Sequence, residues 1–151
     1  MAVAADLDRA TDSTDAQWTW VAEQTRTYLA SGGTEGHESN GVCTLILATT
    51  GRRTGRPRRT CLIYGTSGAD FVVVASKGGA DEDPEWFKNL QAEPSVGVQA
   101  GTRRFTARAR TASPAERETL WPLMARIFPL YDEYAEKTGR VIPIVLLTPQ
   151  D

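Results

Sequence analysis

Val42-Cys43-Thr44-Leu45-Ile46-Leu47-Ala48-Thr49-Thr50-Gly51-Arg52-Arg53-Thr54-Gly55-Arg56-Pro57-Arg58-Arg59-Thr60-Cys61-Leu62-Ile63-Tyr64-Gly65 is the stretch from which the rest of the chain is read. Val42 to Thr49 and Thr60 to Gly65 are apolar runs of β-forming residues. They read as antiparallel neighbours joined by a long basic turn. Five arginines fall between Arg52 and Arg59, in a chain whose formal charge is only −2. Folding has no need of such a cluster, since crowded like charges repel. Gly51 and Gly55 allow tight turns and close backbone approach, and Pro57 fixes φ and removes a donor. A glycine-punctuated loop with forked guanidinium groups suits phosphate or several carboxylates, which arginine grips through paired hydrogen bonds. The plain alternative is a solvated basic turn.

The 151 residues fit one domain able to bury a core without staples. A net-acidic chain argues against a general nucleic-acid binder. Cys43 and Cys61 lie in apolar runs and read as reduced core residues, and no metal-ligand spacing is present. The first residues are small and acidic, unlike a signal peptide, and no apolar run reaches the ~20 residues that cross a bilayer. A cytoplasmic protein is expected.

Upstream, Met1 to Ser13 read as a flexible tail, with a single domain over residues 14–151. Thr14 offers a cap, and Trp18, Val21, Ala22, Thr25, Tyr28 and Leu29 recur at helical spacing until Ser31-Gly32-Gly33. Trp20, on another face of this helix, is a candidate for touching substrate or a membrane surface. Thr34 to Gly41 reads as a loop, and His37 within it as a solvated side chain without a catalytic role.

Downstream, Phe71 to Ala75 reads as a strand ending in a second glycine-rich loop, Ser76-Lys77-Gly78-Gly79-Ala80-Asp81. Asp83 is placed as the cap of a helix with Pro84 at its first position and Trp86, Phe87 and Leu90 on its apolar side. Val96 to Gln99 and Arg104 to Arg110 form a hairpin around Gly101. Phe105, Ala107 and Ala109 alternate there with Thr106, Arg108 and Arg110, which predicts one buried and one polar face. Ser113-Pro114-Ala115-Glu116 is a capping box that opens a helix, with Pro122 set in or near its first turns. Pro129 breaks that helix, and a short one bearing Tyr131 and Tyr134 follows. Val141 to Thr148 is the last strand. About six mainly antiparallel strands with three or four helices predict an α+β barrel with helices at its ends.

A lone histidine cannot build a Ser-His-Asp arrangement or a histidine-rich metal site, and neither Rossmann nor Walker spacing occurs. Either the protein only binds something, or a cofactor brings the reactivity. Gly51-Arg52-Arg53-Thr54-Gly55-Arg56-Pro57-Arg58, Val74-Ala75-Ser76-Lys77-Gly78-Gly79-Ala80-Asp81 and Pro84-Glu85-Trp86-Phe87-Lys88-Asn89-Leu90 form an ordered set. Phe105-Thr106-Ala107-Arg108-Ala109, Trp121-Pro122, Tyr131 with Tyr134, and Ile142-Pro143-Ile144-Val145 continue it. Together they resemble the deazaflavin-dependent nitroreductases and F420H2-dependent quinone reductases of actinobacteria.

The resemblance implies a split β-barrel of the FMN-binding-like type and coenzyme F420, with flavin mononucleotide as the chemical competitor. It implies hydride transfer from reduced F420 to a quinone, nitro-aromatic or other activated conjugated substrate. The alternative is a non-catalytic F420 storage or carrier protein. The cofactor's phosphate and glutamate tail would fall to Arg52, Arg53, Thr54, Arg58 and Lys77. Ser76, Gly78, Gly79, Ala80 and Asp81 would lie near the phosphate or ring edge. Trp20, Phe128, Tyr131 and Tyr134 would form the substrate side, with Tyr131, Tyr134 and Ser76 as catalytic candidates and no metal. Asn89 and Tyr64 are left between core and site, and Trp86 is read as packing beneath the loop. Relatives often carry Lys and Ser where this chain has Arg53 and Thr54, and some carry tyrosine in place of Phe128, so activity on bicyclic nitroimidazole prodrugs is not implied. Peripheral membrane contact through the first helix is a second use for that element, and the oligomeric state stays open.

Overall fold

The computed structural model describes residues 7, 11–12, 26–34, 37–39 and 42–150. The strands are β1 (Thr11–Asp12), β2 (Glu38–Ser39), β3 (Val42–Thr50), β4 (Pro57–Ile63), β5 (Gly65–Ser67), β6 (Asp70–Val74), β7 (Ser95–Ala100), β8 (Arg103–Thr111) and β9 (Ile144–Gln150). Residues 26–30 are helical (α1). Helices α2 (Glu85–Ala92), α3 (Pro114–Ile127) and α4 (Leu130–Lys137) follow, with a 3-10 turn at Lys77–Gly79.

Hydrogen bonding orders the strands β1-β4-β3-β7-β8-β9-β6-β5, with β2 on β3. The pairings are antiparallel apart from that of β1 with β4. β4 lies near one end of this order and β5 at the other, yet Tyr64 alone separates them in sequence. The sheet must therefore curl until its two edges meet, and a covalent bond closes the barrel where a ladder does not.

Strand alternation sorts the apolar residues into three clusters. Leu45 and Leu47 of β3, Phe71 and Val73 of β6, and Val145 and Leu147 of β9 point inward, under a lid of Trp86, Phe87 and Leu90 from α2. Ile46 and Ala48 point outward against Tyr28 of α1. Val72, Val74, Ile144 and Leu146 point outward against Leu120, Met124 and Tyr131 of α3 and α4. Both faces of β3, β6 and β9 are thus covered, which is why these strands read as unbroken apolar runs. β8 keeps a solvent face and alternates as expected, with Ala107 and Ala109 buried and Thr106, Arg108 and Arg110 exposed.

The capping box is present: Ser113 and Glu116 exchange bonds, Pro114 opens α3, and the Glu116 carboxylate takes Arg110 through two bonds of 2.8 Å. Pro122 lies inside the helix, deeper than expected, and Pro129 occupies the N-cap of α4.

Other expectations are corrected. Pro84 itself is the N-cap of α2, because Asp83 is drawn onto Arg140 at 2.9 Å. β4 begins at Pro57, not Thr60, so the basic turn shrinks to residues 51–56. β9 spans Ile144–Gln150, two or more residues later than expected. Glu38–Ser39 of the expected loop pairs with β3. His37 is half-buried rather than solvated, with Nε2 at 2.8 Å from the Tyr64 hydroxyl. In the stretch read as a tail, Leu7 is buried against Tyr28 and its neighbours, and Thr11–Asp12 pairs with Arg58 and Arg59. Trp20 and most of the first helix lie outside the described residues.

Candidate cofactor and substrate site

The β3–β4 hairpin decides which arginines can act together. Thr50 pairs with Pro57, and the Gly51 N–H donates to the Arg56 carbonyl at 2.8 Å. Gly55 takes φ +72°, a left-handed turn that glycine adopts without strain. Thr54 Oγ1 accepts the Arg56 N–H at 3.2 Å, closing the turn from within. In β4, Arg58 and Arg59 alternate to opposite faces. The outcome is a cavity of about 140 Å³ lined by Gly51, Arg52, Arg53, Thr54, Arg58, Glu85 and Asn89. Arg56 is exposed and, like Arg59, does not line it.

Arg52 is aimed rather than loose. Its guanidinium meets Glu85 at 2.6 Å and donates to Asn89 Oδ1 at 2.9 Å, while its backbone N–H donates to the same oxygen at 3.2 Å. Asn89 is buried and donates through Nδ2 to Thr49 Oγ1 at 3.3 Å. The hydrogen bond from Arg52 holds the Glu85 carboxyl below the ordinary carboxylate range, with Lys88 and Arg53 adding attraction. Three guanidinium groups against one carboxylate leave the cavity a receptor for anions. Its size admits a phosphate or a carboxylate pair, not a planar ring.

The second glycine-rich loop leaves β6 and enters α2. Lys77 sits at φ +46° and pairs with the exposed Glu82 at 2.8 Å, a contact that water weakens and a ligand anion can exchange. The Asp81 carboxylate accepts from Thr138 at 2.8 Å, and the Ser76 and Ala80 carbonyls accept from Arg140 at 3.0 and 2.8 Å. Gly79, at φ +80°, lies directly on α4: a Cβ there would stand 3.1 Å from the Tyr134 Cα. Only glycine lets the turn and the helix come this close.

On α4, Tyr131 and Tyr134 are one turn apart with ring centroids separated by 6.4 Å. Phe128 meets Tyr131 edge-on at 5.0 Å and Tyr134 at 6.3 Å. Tyr131 is only 5% exposed and belongs to the cluster beneath α3, so burial pushes its hydroxyl well above the ordinary range. Tyr134 is half-buried at the rim. The structure thus brings Ser76 to Ala80, Phe128 and Tyr134 to one place, and Arg52, Arg53, Thr54 and Arg58 to another. The chain from Gly79 to Asn89 joins the two. Among the described residues no group of three or more His, Cys, Asp or Glu could hold a metal, and no helix is long and apolar enough to cross a membrane.

Fold and site together define a split-barrel protein with an arginine-lined cavity and an aromatic patch on α4, joined by the chain from Gly79 to Asn89. The chain belongs to the F420H(2)-dependent quinone reductase family, which it matches over residues 20–149. This makes it an oxidoreductase that draws on reduced F420 and delivers to a quinone. It is 37% identical over 130 residues to an F420H(2)-dependent quinone reductase of Mycobacterium tuberculosis (strain H37Rv), spanning 80% of this chain and 84% of the relative. A solved structure described as a domain-swapped dimer matches with TM-score 0.67 and 35% identity, covering 85% of this chain and 96% of that one. The F420-H2 dependent reductase FDR-A matches with TM-score 0.64 and 35% identity, over 69% and 92% of the two chains.

The residues present fit the cofactor's chemistry, since guanidinium groups gather around a cavity sized for its anionic groups and Gly79 leaves room for none but backbone beside Tyr134. Sequence reasoning passed over Glu85 and left Asn89 undecided. An amide three residues from Trp86, on the apolar side of α2, was the available signal for Asn89. Arg140 gave none, because its partners lie some 60 residues away along the chain.

Proposed function

We propose that Arg52, Arg53 and Arg58 hold the phosphate and carboxylates of F420, Thr54 shapes their turn, and Lys77 exchanges Glu82 for the cofactor. Ser76 and the backbone from Gly78 to Ala80 line the cofactor beside α4. Tyr134 and Phe128 present the face against which a planar quinone stacks. One continuous segment, Gly79 to Asn89, carries this reading: it is packed on Tyr134 at one end and lines the arginine cavity at the other. When bound, reduced F420 supplies a hydride to the acceptor. The protein's own work is to hold cofactor and acceptor at reacting distance and to exclude water.

Each charge-assisted bond to the anionic groups contributes roughly 1.5–3 kcal/mol. Charge develops on the quinone oxygen, and a tyrosine hydroxyl at the rim donates to it. Tyr134 suits this role, with Tyr131 beneath it fixing the ring by edge-on packing. Tyr131 stays protonated at any working pH, so it remains a donor where the acceptor reaches it. Nitro-aromatic and other conjugated acceptors of the same shape fit the same face. The aromatic face also favours an enzyme over a pure carrier, which has no use for one.

Titration with F420 and with flavin mononucleotide, followed by oxidation of reduced F420 against a quinone panel, tests the whole. Tight F420 binding with turnover is expected, and binding without turnover across the panel would move the protein to the carrier class. Tyr134→Phe is expected to lower kcat by about tenfold or more. Full turnover in both Tyr134→Phe and Tyr131→Phe would remove the hydroxyls from the mechanism.

A further inference from the structure

Arg140 lies between α4 and β9, does not line the arginine cavity, and is mostly buried, its side chain 15% exposed. Its guanidinium serves a single loop. Nε donates to the Ala80 carbonyl at 2.8 Å, Nη2 to the carbonyls of Ala75 and Ser76 at 3.1 and 3.0 Å, and Nη1 to Asp83 at 2.9 Å. Thr138 extends the strap: its hydroxyl donates to Asp81 at 2.8 Å and accepts the Arg140 N–H at 3.3 Å. The segment from Ala75 to Asp83 is therefore tied at five residues to two positions of one short connection, Thr138 and Arg140.

The direction of these bonds matters. All peptide bonds described are trans, and in a trans peptide the N–H points opposite to the carbonyl it is bonded to. With the carbonyls of Ala75, Ser76 and Ala80 turned onto Arg140, the amides of Ser76, Lys77 and Asp81 are turned away from it. The carboxylates of Asp81 and Asp83 are drawn to the same side as the carbonyls, where they would not confront an anion. We propose that Arg140 is a positioning residue for the F420 loop: it gathers the loop's acceptors on its own side and leaves the opposite side rich in donors and positive. This rests on the assignment of Ser76 to Asp81 to the cofactor. Lysine cannot replace it, because an ammonium is a point charge and does not span three carbonyls and a carboxylate as the planar fork does.

The test compares wild type, Arg140→Lys and Thr138→Val by direct titration with oxidised F420, steady-state kinetics and thermal unfolding. In Arg140→Lys the F420 dissociation constant and KM rise about tenfold, while the quinone KM and the kcat at saturating F420 stay within about twofold. Thr138→Val shifts F420 affinity the same way by about threefold. Unchanged F420 affinity in a folded Arg140→Lys, or equal losses in the KM of F420 and of quinone, overturns the inference. Should Arg140→Lys not fold, Thr138→Val decides: weaker F420 binding at unchanged quinone KM supports it, and unchanged binding overturns it. A wild-type protein that fails to bind F420 overturns instead the cofactor assignment itself.

Discussion

Two glycine-rich loops leave the barrel on the side of α2, and they use charge in opposite ways. The turn at 51–56 and the start of β4 point three arginines into a shared cavity, with Glu85 as their one carboxylate. The loop at 75–83 carries Lys77, Asp81, Glu82 and Asp83, yet each is partnered, by Glu82, Thr138, Lys77 and Arg140 respectively. In the function proposed above, the first loop recognises mainly through side chains. The second recognises mainly through backbone and depends on residues that hold its shape from elsewhere. In that proposal the same ligand charge is met by fixed cations at one loop and by oriented dipoles at the other.

If that contrast is right, the largest loss comes from the side-chain loop. Arg52→Ala combined with Arg53→Ala weakens F420 binding roughly 100-fold or more, since two charge-assisted bonds go at about a factor of ten each. The remaining affinity also depends less on salt, which fluorescence titration at low and high ionic strength measures. A loss near tenfold for the pair would show that one of the two arginines points elsewhere when ligand binds.

Glycine substitutions sharpen the comparison. Gly79→Ala forces a left-handed alanine and drives its methyl against the Tyr134 backbone at 3.1 Å. It costs about 2–3 kcal/mol, seen as a Tm drop of roughly 5–10 °C, and lowers kcat because the turn and α4 part. Gly55→Ala meets nothing within 4 Å, so only the left-handed strain at φ +72° remains. That is about 1 kcal/mol, or roughly 2–4 °C, with kcat unchanged. Equal effects of the two variants on kcat would erase the distinction between the loops.

The smallest effect lies away from both loops and serves as their control. Glu116 is held down at about 2 by the hydrogen bond from Arg110 and then by the Ser113 N–H. A carboxyl lowered in the folded state contributes stability that is complete above its ordinary value of 4.5 and is lost as pH falls toward about 2. The Tm gap between wild type and Glu116→Gln therefore narrows across that window. F420 affinity measured at neutral pH is the same in both proteins.

The β3 and β4 runs were legible because both faces of β3 and the middle of β4, at Thr60 and Cys61, are buried, which imprints stretches of apolar and β-forming residues. Their boundary was misjudged by three residues because Pro57, Arg58 and Arg59 look like a turn by composition, while the register with Thr50, Thr49 and Ala48 holds them in the strand. His37 was read as solvated because its neighbours are polar. Its burial comes from Tyr64 and Gly101, which sit on other elements. Arg52, Arg53 and Arg58 were selected through resemblance, and strand alternation supplies the physical reason that Arg59 does not join them.

The amino-acid order alone settled the type of the main strands and helices from Val42 onward and the charge each carries, because periodicity, caps and clustered arginines act over a few residues. Only the folded chain decided which charges remain available to a ligand. Arg140 reaches loop atoms some 60 positions earlier, and Asn89 fixes Arg52 from 37 positions later. Such pairings arise from barrel closure, which brings together segments that no local pattern connects.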